Sequence, residues 1–268
     1  MKKFTYCDTI QSDNIYKAKE IIKMRVIVLD NAVEISKEAA EIIIKQVNKK
    51  RDSVIGFATG ASPIETYKRI IESYEKGEVS LNHITTFNLD EYVGLERENV
   101  NSYYYFMKDN LFGKTDVDFD KVNFLSGQID NIEEECARYS AKIRESGGID
   151  IQILGIGTNG HIGFNEPSDN FADGPFAVKL TQSTIDANSK YFEAVGDKMP
   201  EYALTMGIGD IMRAKRIILI ATGKSKAEAI KKLVEGEVTP SCPASILKLH
   251  ADVTVFVDKE SASLLGDR

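Results

Sequence analysis

Two short stretches of this 268-residue chain hold side chains able to move protons near neutral pH. "TTFNLDEYVGL" places Asp90 and Glu91 directly after an apolar run, and "ILGIGTNGHIGFNEP" places His161 between Asn159 and Glu166. An acid at the end of a buried run is partly desolvated, which moves its pKa up towards that of a general base. A histidine on a glycine-rich loop can relay protons, with a nearby amide and carboxylate to orient and polarise the ring. Each feature also has a plainer reading. A single Asp after a strand more often caps or ties a loop. His83 and His250 lie beside apolar runs and read as structural.

Two further stretches suit an anion. In "GFATGASPIETY" the turn Thr59-Gly60-Ala61 precedes Ser62, Pro63 and Glu65. Ser62 as N-cap, Pro63 at the first helical position and Glu65 closing a capping box predict a helix start. Backbone N–H groups at such a start attract phosphate. In "IATGKSKAEAI", Gly223 marks a turn, and Lys224 and Lys226 stand at the start of a helical pattern. A lysine there adds a point charge to a phosphate site, although most lysines are simply solvated.

Residues 155–160 also match G-x-G-x-x-G, the dinucleotide fingerprint. That motif needs a helix directly after its glycines. Here Gly163 and Pro167 interrupt the segment and "EPSDNFADGP" follows, so no helix can run on. The glycines are better explained by a sharp turn and a close backbone approach to a ligand. A nicotinamide-dependent oxidoreductase is disfavoured accordingly.

The elements that must position these residues alternate along the chain. Apolar runs at 25–29, 53–58, 83–89, 151–156, 215–221 and 252–257 read as buried strands. Helical patterns fall between them at about 32–48, 63–76, 101–111, 131–146 and 224–234. Such alternation predicts an α/β fold of three layers, Rossmann-like, with a mostly parallel central sheet and helices on both faces. In open parallel sheets ligands bind beyond the carboxyl ends of the strands. All four chemical stretches follow predicted strands. Residues 166–182 are the one long irregular stretch, a length usually functional or mobile. Residues 1–23 are polar and precede an abrupt strand at Met24, so they read either as an N-terminal extension or as a helix around 14–23. Residues 24–268 read as one domain.

Composition narrows the partners. Apolar residues make up 43% and charged residues 28%, ordinary values for a globular chain with a substantial core. The net charge of −7 comes without a dense Lys/Arg run, which disfavours nucleic acid. Cys7, Cys136 and Cys242 are odd in number and far apart, which points away from a disulfide framework and from a zinc site. No apolar run approaches the ~20 residues of a membrane span, and the N-terminus lacks a secretory h-region. The expected location is the cytoplasm.

With these residues in place, the sequence resembles the glucosamine-6-phosphate deaminase family. The matching pieces are "ATGASPIETY", "FNLDEYVGL", "NSYYYFM", "LGIGTNGHIGFNEP", "ALTMGIGDIM", "GKSKAEAI" and "PASILKLHADVTVFVD", in family order over roughly residues 24–265. The resemblance implies conversion of glucosamine 6-phosphate and water to fructose 6-phosphate and ammonia, with no metal or organic cofactor. It implies that His161 opens the sugar ring, supported by Asn159 and Glu166, and that Asp90 moves a proton between C2 and C1. Thr59, Gly60, Ala61, Ser62 and Lys226 would hold the phosphate. Lys190 stands where the family usually places a phosphate-binding arginine. Lysine keeps the charge and loses the bidentate fork. The resemblance also implies a lid at about 166–205. Phe176 and Val178 replace cations found in allosterically regulated members, which predicts no activation by N-acetylglucosamine 6-phosphate. The competing activities are galactosamine-6-phosphate deamination, 6-phosphogluconolactone hydrolysis and non-catalytic phosphosugar sensing. The implied partner is a small amino sugar phosphate. Oligomeric state stays open, since the family includes monomers and hexamers.

Overall fold

Strand residues that alternate between two apolar faces need a helical layer on each side, and the chain supplies both. The computed structural model describes residues 24–266. Its strands are β1 (Arg25–Leu29), β2 (Val54–Phe57), β3 (Thr85–Asn88), β4 (Asp90–Tyr92), β5 (Val122–Asn123), β6 (Ile151–Leu154), β7 (Phe176–Lys179), β8 (Tyr202–Thr205), β9 (Ile217–Ala221) and β10 (Val253–Asp258). The helices are α1 (Ala32–Lys49), α2 (Ile64–Glu75), α3 (Tyr103–Asn110), α4 (Ile132–Glu145), α5 (Gln182–Glu193), α6 (Ile208–Met212) and α7 (Ala227–Glu235).

Seven strands form one sheet in the order β1-β10-β9-β6-β2-β3-β5, with every pairing parallel. Ile55, Phe57, Ile153, Ile218, Ile220 and Phe256 pack on one face with side chains of α1, α2 and α3. Val54, Phe87, Leu154, Leu219, Val255 and Val257 pack on the other with α4, α6 and α7. Period-two alternation along each strand thus fills two cores, and the three-layer α/β expectation holds.

Three local readings are corrected. Residues 166–182 are not irregular throughout, because Phe176–Lys179 forms β7. This strand joins a second, antiparallel sheet in the order β4-β8-β7. It pairs with β8, which follows only after α5, so local pattern could not reveal it. Helix α2 begins at Ile64 with Pro63 in the cap position, and no side chain caps it. Ser62 therefore does not close a capping box, and Glu65 instead pairs with Lys68 at 2.5 Å. The predicted helix at 224–234 opens as a 3-10 turn over Lys224–Lys226 before α7. The readings made of residues 1–23 lie outside the described residues.

Candidate active site

The loops carrying the chemical stretches follow β9, β6, β2 and β3, four successive strands of the parallel sheet. Parallel strands end on the same edge, so all four loops gather there.

After β2 the chain is pinned by Tyr67. Its hydroxyl donates to the Ala58 carbonyl at 2.5 Å and accepts from the Ala58 amide at 3.2 Å. The turn then needs Gly60, whose φ is +90°. Ser62 comes back towards β6, where a Cβ placed on Gly155 would lie 3.8 Å from its Oγ. Thr59 and Ser62 are half-buried, and Gly60 and Ala61 are exposed. After β9, Gly223 (φ +85°) turns the chain, its amide held by the Asp258 carboxylate at 2.9 and 3.1 Å. Lys226 follows, half-buried, and burial lowers its pKa from the ordinary lysine value. It makes no ion pair among the described residues. A partly desolvated ammonium without a carboxylate is suited to an anionic ligand.

Asp90 opens β4, pairs in register with Thr205 and is 6% exposed. Burial, and then the neighbouring Glu91 charge, push its carboxyl up to about 8. Glu91 is 3% exposed, and burial pushes it up to about 7 against three backbone amides and Arg97.

The loop after β6 forms a closed circuit around His161. Asn159 Oδ1 accepts from the His161 amide at 3.1 Å, and Asn159 Nδ2 donates to Glu166 Oε2 at 2.6 Å. Glu166 Oε1 lies 3.1 Å from His161 Nδ1. Burial works to raise the Glu166 carboxyl, but contact with His161 and Asn159 outweighs it and the group stays low. Gly157 backs the imidazole so closely that a Cβ there would fall 2.2 Å from Cε1. The loop's far half reaches Asp90. The Phe164 amide donates to Thr205 Oγ1 at 3.0 Å, and Asn165 Nδ2 donates to the Ile162 and Met206 carbonyls at 2.9 Å. At Gly163 (φ +57°) a Cβ would stand 3.5 Å from Asp90 Oδ2. The carboxylate after "FNL" and the loop carrying the imidazole are therefore packed against each other.

Lys190 is exposed on α5, with its ammonium 5.0 Å from the Tyr191 ring centroid. Among the described residues no hydrogen bond or ion pair joins it to the four strand ends. His250 is structural as expected, with Nε2 at 2.7 Å from the Ala214 carbonyl and Nδ1 accepting from the Asp252 amide. Phe176 and Val178 line a cleft of about 410 Å³ with Phe164, Glu166, Phe171 and Ile208, and no Lys or Arg lines it. Sequence reasoning missed the support that Thr205 gives the loop through the Phe164 amide. The Gly-x-Gly spacing did flag Gly157, but not what it accommodates. Among the described residues no group of three His, Cys, Asp or Glu side chains is arranged to hold a metal ion, and no helix is long and apolar enough to cross a membrane.

Residues 30–256 match the family model for glucosamine-6-phosphate isomerases/6-phosphogluconolactonase. A glucosamine-6-phosphate deaminase of Thermoanaerobacter pseudethanolicus is 48% identical over 244 residues, covering 91% of this chain and 96% of that protein. One from Clostridium botulinum is 50% identical over 242 residues, covering 90% and 99%. A solved structure described as a monomeric glucosamine-6-phosphate deaminase superposes with a TM-score of 0.86 at 44% identity, covering 90% of this chain and all of that one. A 6-phosphogluconolactonase from Trypanosoma cruzi superposes with a TM-score of 0.71 at 20% identity, covering 92% and 98%, a likeness of fold alone.

Proposed function

The chain belongs to the family of glucosamine-6-phosphate isomerases and 6-phosphogluconolactonases, and from that premise we propose that it converts glucosamine 6-phosphate and water to fructose 6-phosphate and ammonia. The observation that carries the reading is the packing of Asp90 Oδ2 against Gly163, inside the loop that bears His161. One small sugar can then meet both groups.

In this reading the phosphate rests on the backbone of Thr59, Gly60, Ala61 and Ser62, with Lys226 supplying charge. Binding energy from that remote group orients the reacting carbons. His161 takes the proton of the C1 hydroxyl and delivers one to the ring oxygen as the C1–O5 bond breaks, leaving an open-chain aldehyde. Asn159 and Glu166 hold the ring and offset its charge. Asp90 then takes the proton from C2, giving an enolamine, and returns it at C1. The resulting C2 imine adds water at carbon and expels ammonia, leaving the ketone. A base raised to about 8 is strong enough to take a carbon-bound proton and still ionises near neutral pH. Lys190, exposed on α5, would add charge to the phosphate from the lid proposed for residues 166–205. The reading also implies a cytoplasmic enzyme of amino sugar breakdown.

The test offers glucosamine 6-phosphate and galactosamine 6-phosphate separately and measures ammonia and ketose phosphate. Release from the first, abolished in Asp90→Asn, is expected. Release from neither sugar by the wild type would overturn the proposal, and release from galactosamine 6-phosphate alone would redirect it to the sister substrate.

A further inference from the structure

Glu91 is almost fully buried beside the proposed base, yet it takes no part in the steps above. Its carboxylate reaches the first turn of α3. Oε1 accepts from the Tyr103 amide at 2.9 Å, and Oε2 accepts from the Tyr104 amide at 3.0 Å. Oε1 also accepts from its own neighbour, the Tyr92 amide, at 2.9 Å. Ser102 caps the third amide of the helix, that of Tyr105, at 2.9 Å. The carboxylate therefore does from β4 what a local cap does at most helix starts.

The helix it holds leads back to the catalytic loop. Tyr103 stacks on Phe164 with ring centroids 6.0 Å apart and planes 12° from parallel. Its hydroxyl donates to that of Tyr92 at 3.2 Å. Glu91 thus ties the strand of Asp90 to a helix that braces the loop of His161. We propose that Glu91 is a positioning residue, which clamps β4 to α3 and through its own charge sets the pH at which Asp90 becomes a base. The proposal rests on the deaminase reading.

Other groups around Asp90 cannot do this. On its own strand, Tyr92 is pushed up to about 12 by burial, so its phenol stays neutral. Tyr103 on α3 and Tyr139 on α4 are both raised well above the ordinary tyrosine value by burial. Thr205, its partner on β8, is uncharged. The packed loop brings His161 and Glu166, which are paired with each other. Arg97 is the cation acting on the pair, and it acts through Glu91.

The test compares pH profiles of kcat/KM for the wild type, Glu91→Gln and Glu91→Asp with glucosamine 6-phosphate. Without the adjacent negative charge, the Asp90 anion is less costly to form. In Glu91→Gln the acid limb should therefore move to lower pH by roughly half to one unit. Glu91→Asp keeps the charge and shortens the clamp, so its limb should stay in place while its rate falls. An unmoved limb in Glu91→Gln, or equal shifts in both variants, would overturn the inference. Carbon-13 titration of the wild-type carboxyls needs no variant to fold: two coupled steps above pH 6 are expected, and a single isolated step would equally overturn it. An inactive wild type would instead refute the deaminase reading.

Discussion

Replacing Gly157 with alanine tests whether the imidazole seat is as tight as its geometry indicates. The added Cβ would lie 2.2 Å from His161 Cε1 and 2.4 Å from both ring nitrogens, whereas ordinary contact begins at 3.4 Å. The ring must retreat by about 1.2 Å. Nothing in the backbone forbids alanine, since Gly157 is not among the positive-φ glycines. The His161 side chain is 30% exposed, so it has room to swing outward. The fold should therefore survive while the ring leaves its place beside Glu166. A displacement near 1 Å costs roughly 10²-fold in rate when a reacting group is involved. We expect kcat/KM for glucosamine 6-phosphate to fall about 100-fold, ~3 kcal/mol, while the melting temperature changes by less than about 2 °C. Steady-state ammonia release and thermal denaturation of the same sample decide it. Wild-type kcat/KM in a fully folded Gly157→Ala protein would refute the idea that His161 acts from this seat. A large loss of stability would recast the glycine as a structural requirement of the loop.

Asp90→Asn should abolish activity and stabilise the protein. The carboxyl sits at about 8 in the fold against 3.8 ordinarily, so folding favours its protonated form. That contribution is complete below the unfolded value and is lost as pH rises through about 8. The melting temperature of Asp90→Asn should rise relative to wild type between about pH 4 and 8 and then level. Parallel curves from pH 5 to 9 would show that Asp90 titrates normally. Lys226→Met should raise KM about tenfold or more with a smaller effect on kcat, because it removes an interaction made equally by substrate and transition state. An unchanged KM would place the phosphate elsewhere.

Much of the parallel sheet was legible because its strands are buried on both faces. Runs such as Ile217–Ala221 are apolar throughout and end at glycine or polar residues. Which side chains could act was legible only as candidates, since a single acid just past such a run more often ties a loop. The three-stranded sheet was hidden for the opposite reason. Asp90–Tyr92 and Tyr202–Thr205 are short, carry polar residues and pair across more than a hundred positions. The cap expected at Ser62 was lost because Pro63 occupies the cap position itself.

By itself the order of residues determined the alternating layers and the glycine turns, and it picked out candidates for proton transfer, because these follow from periodicity and side-chain chemistry over a few neighbours. Only the tertiary structure decided that Gly163 packs against Asp90 and that Glu91 caps a helix whose first residue lies twelve positions further on. Contacts of that kind depend on how strands order themselves within a sheet and how far burial strips water from a carboxylate. Both are properties of the packed molecule, not of any local stretch.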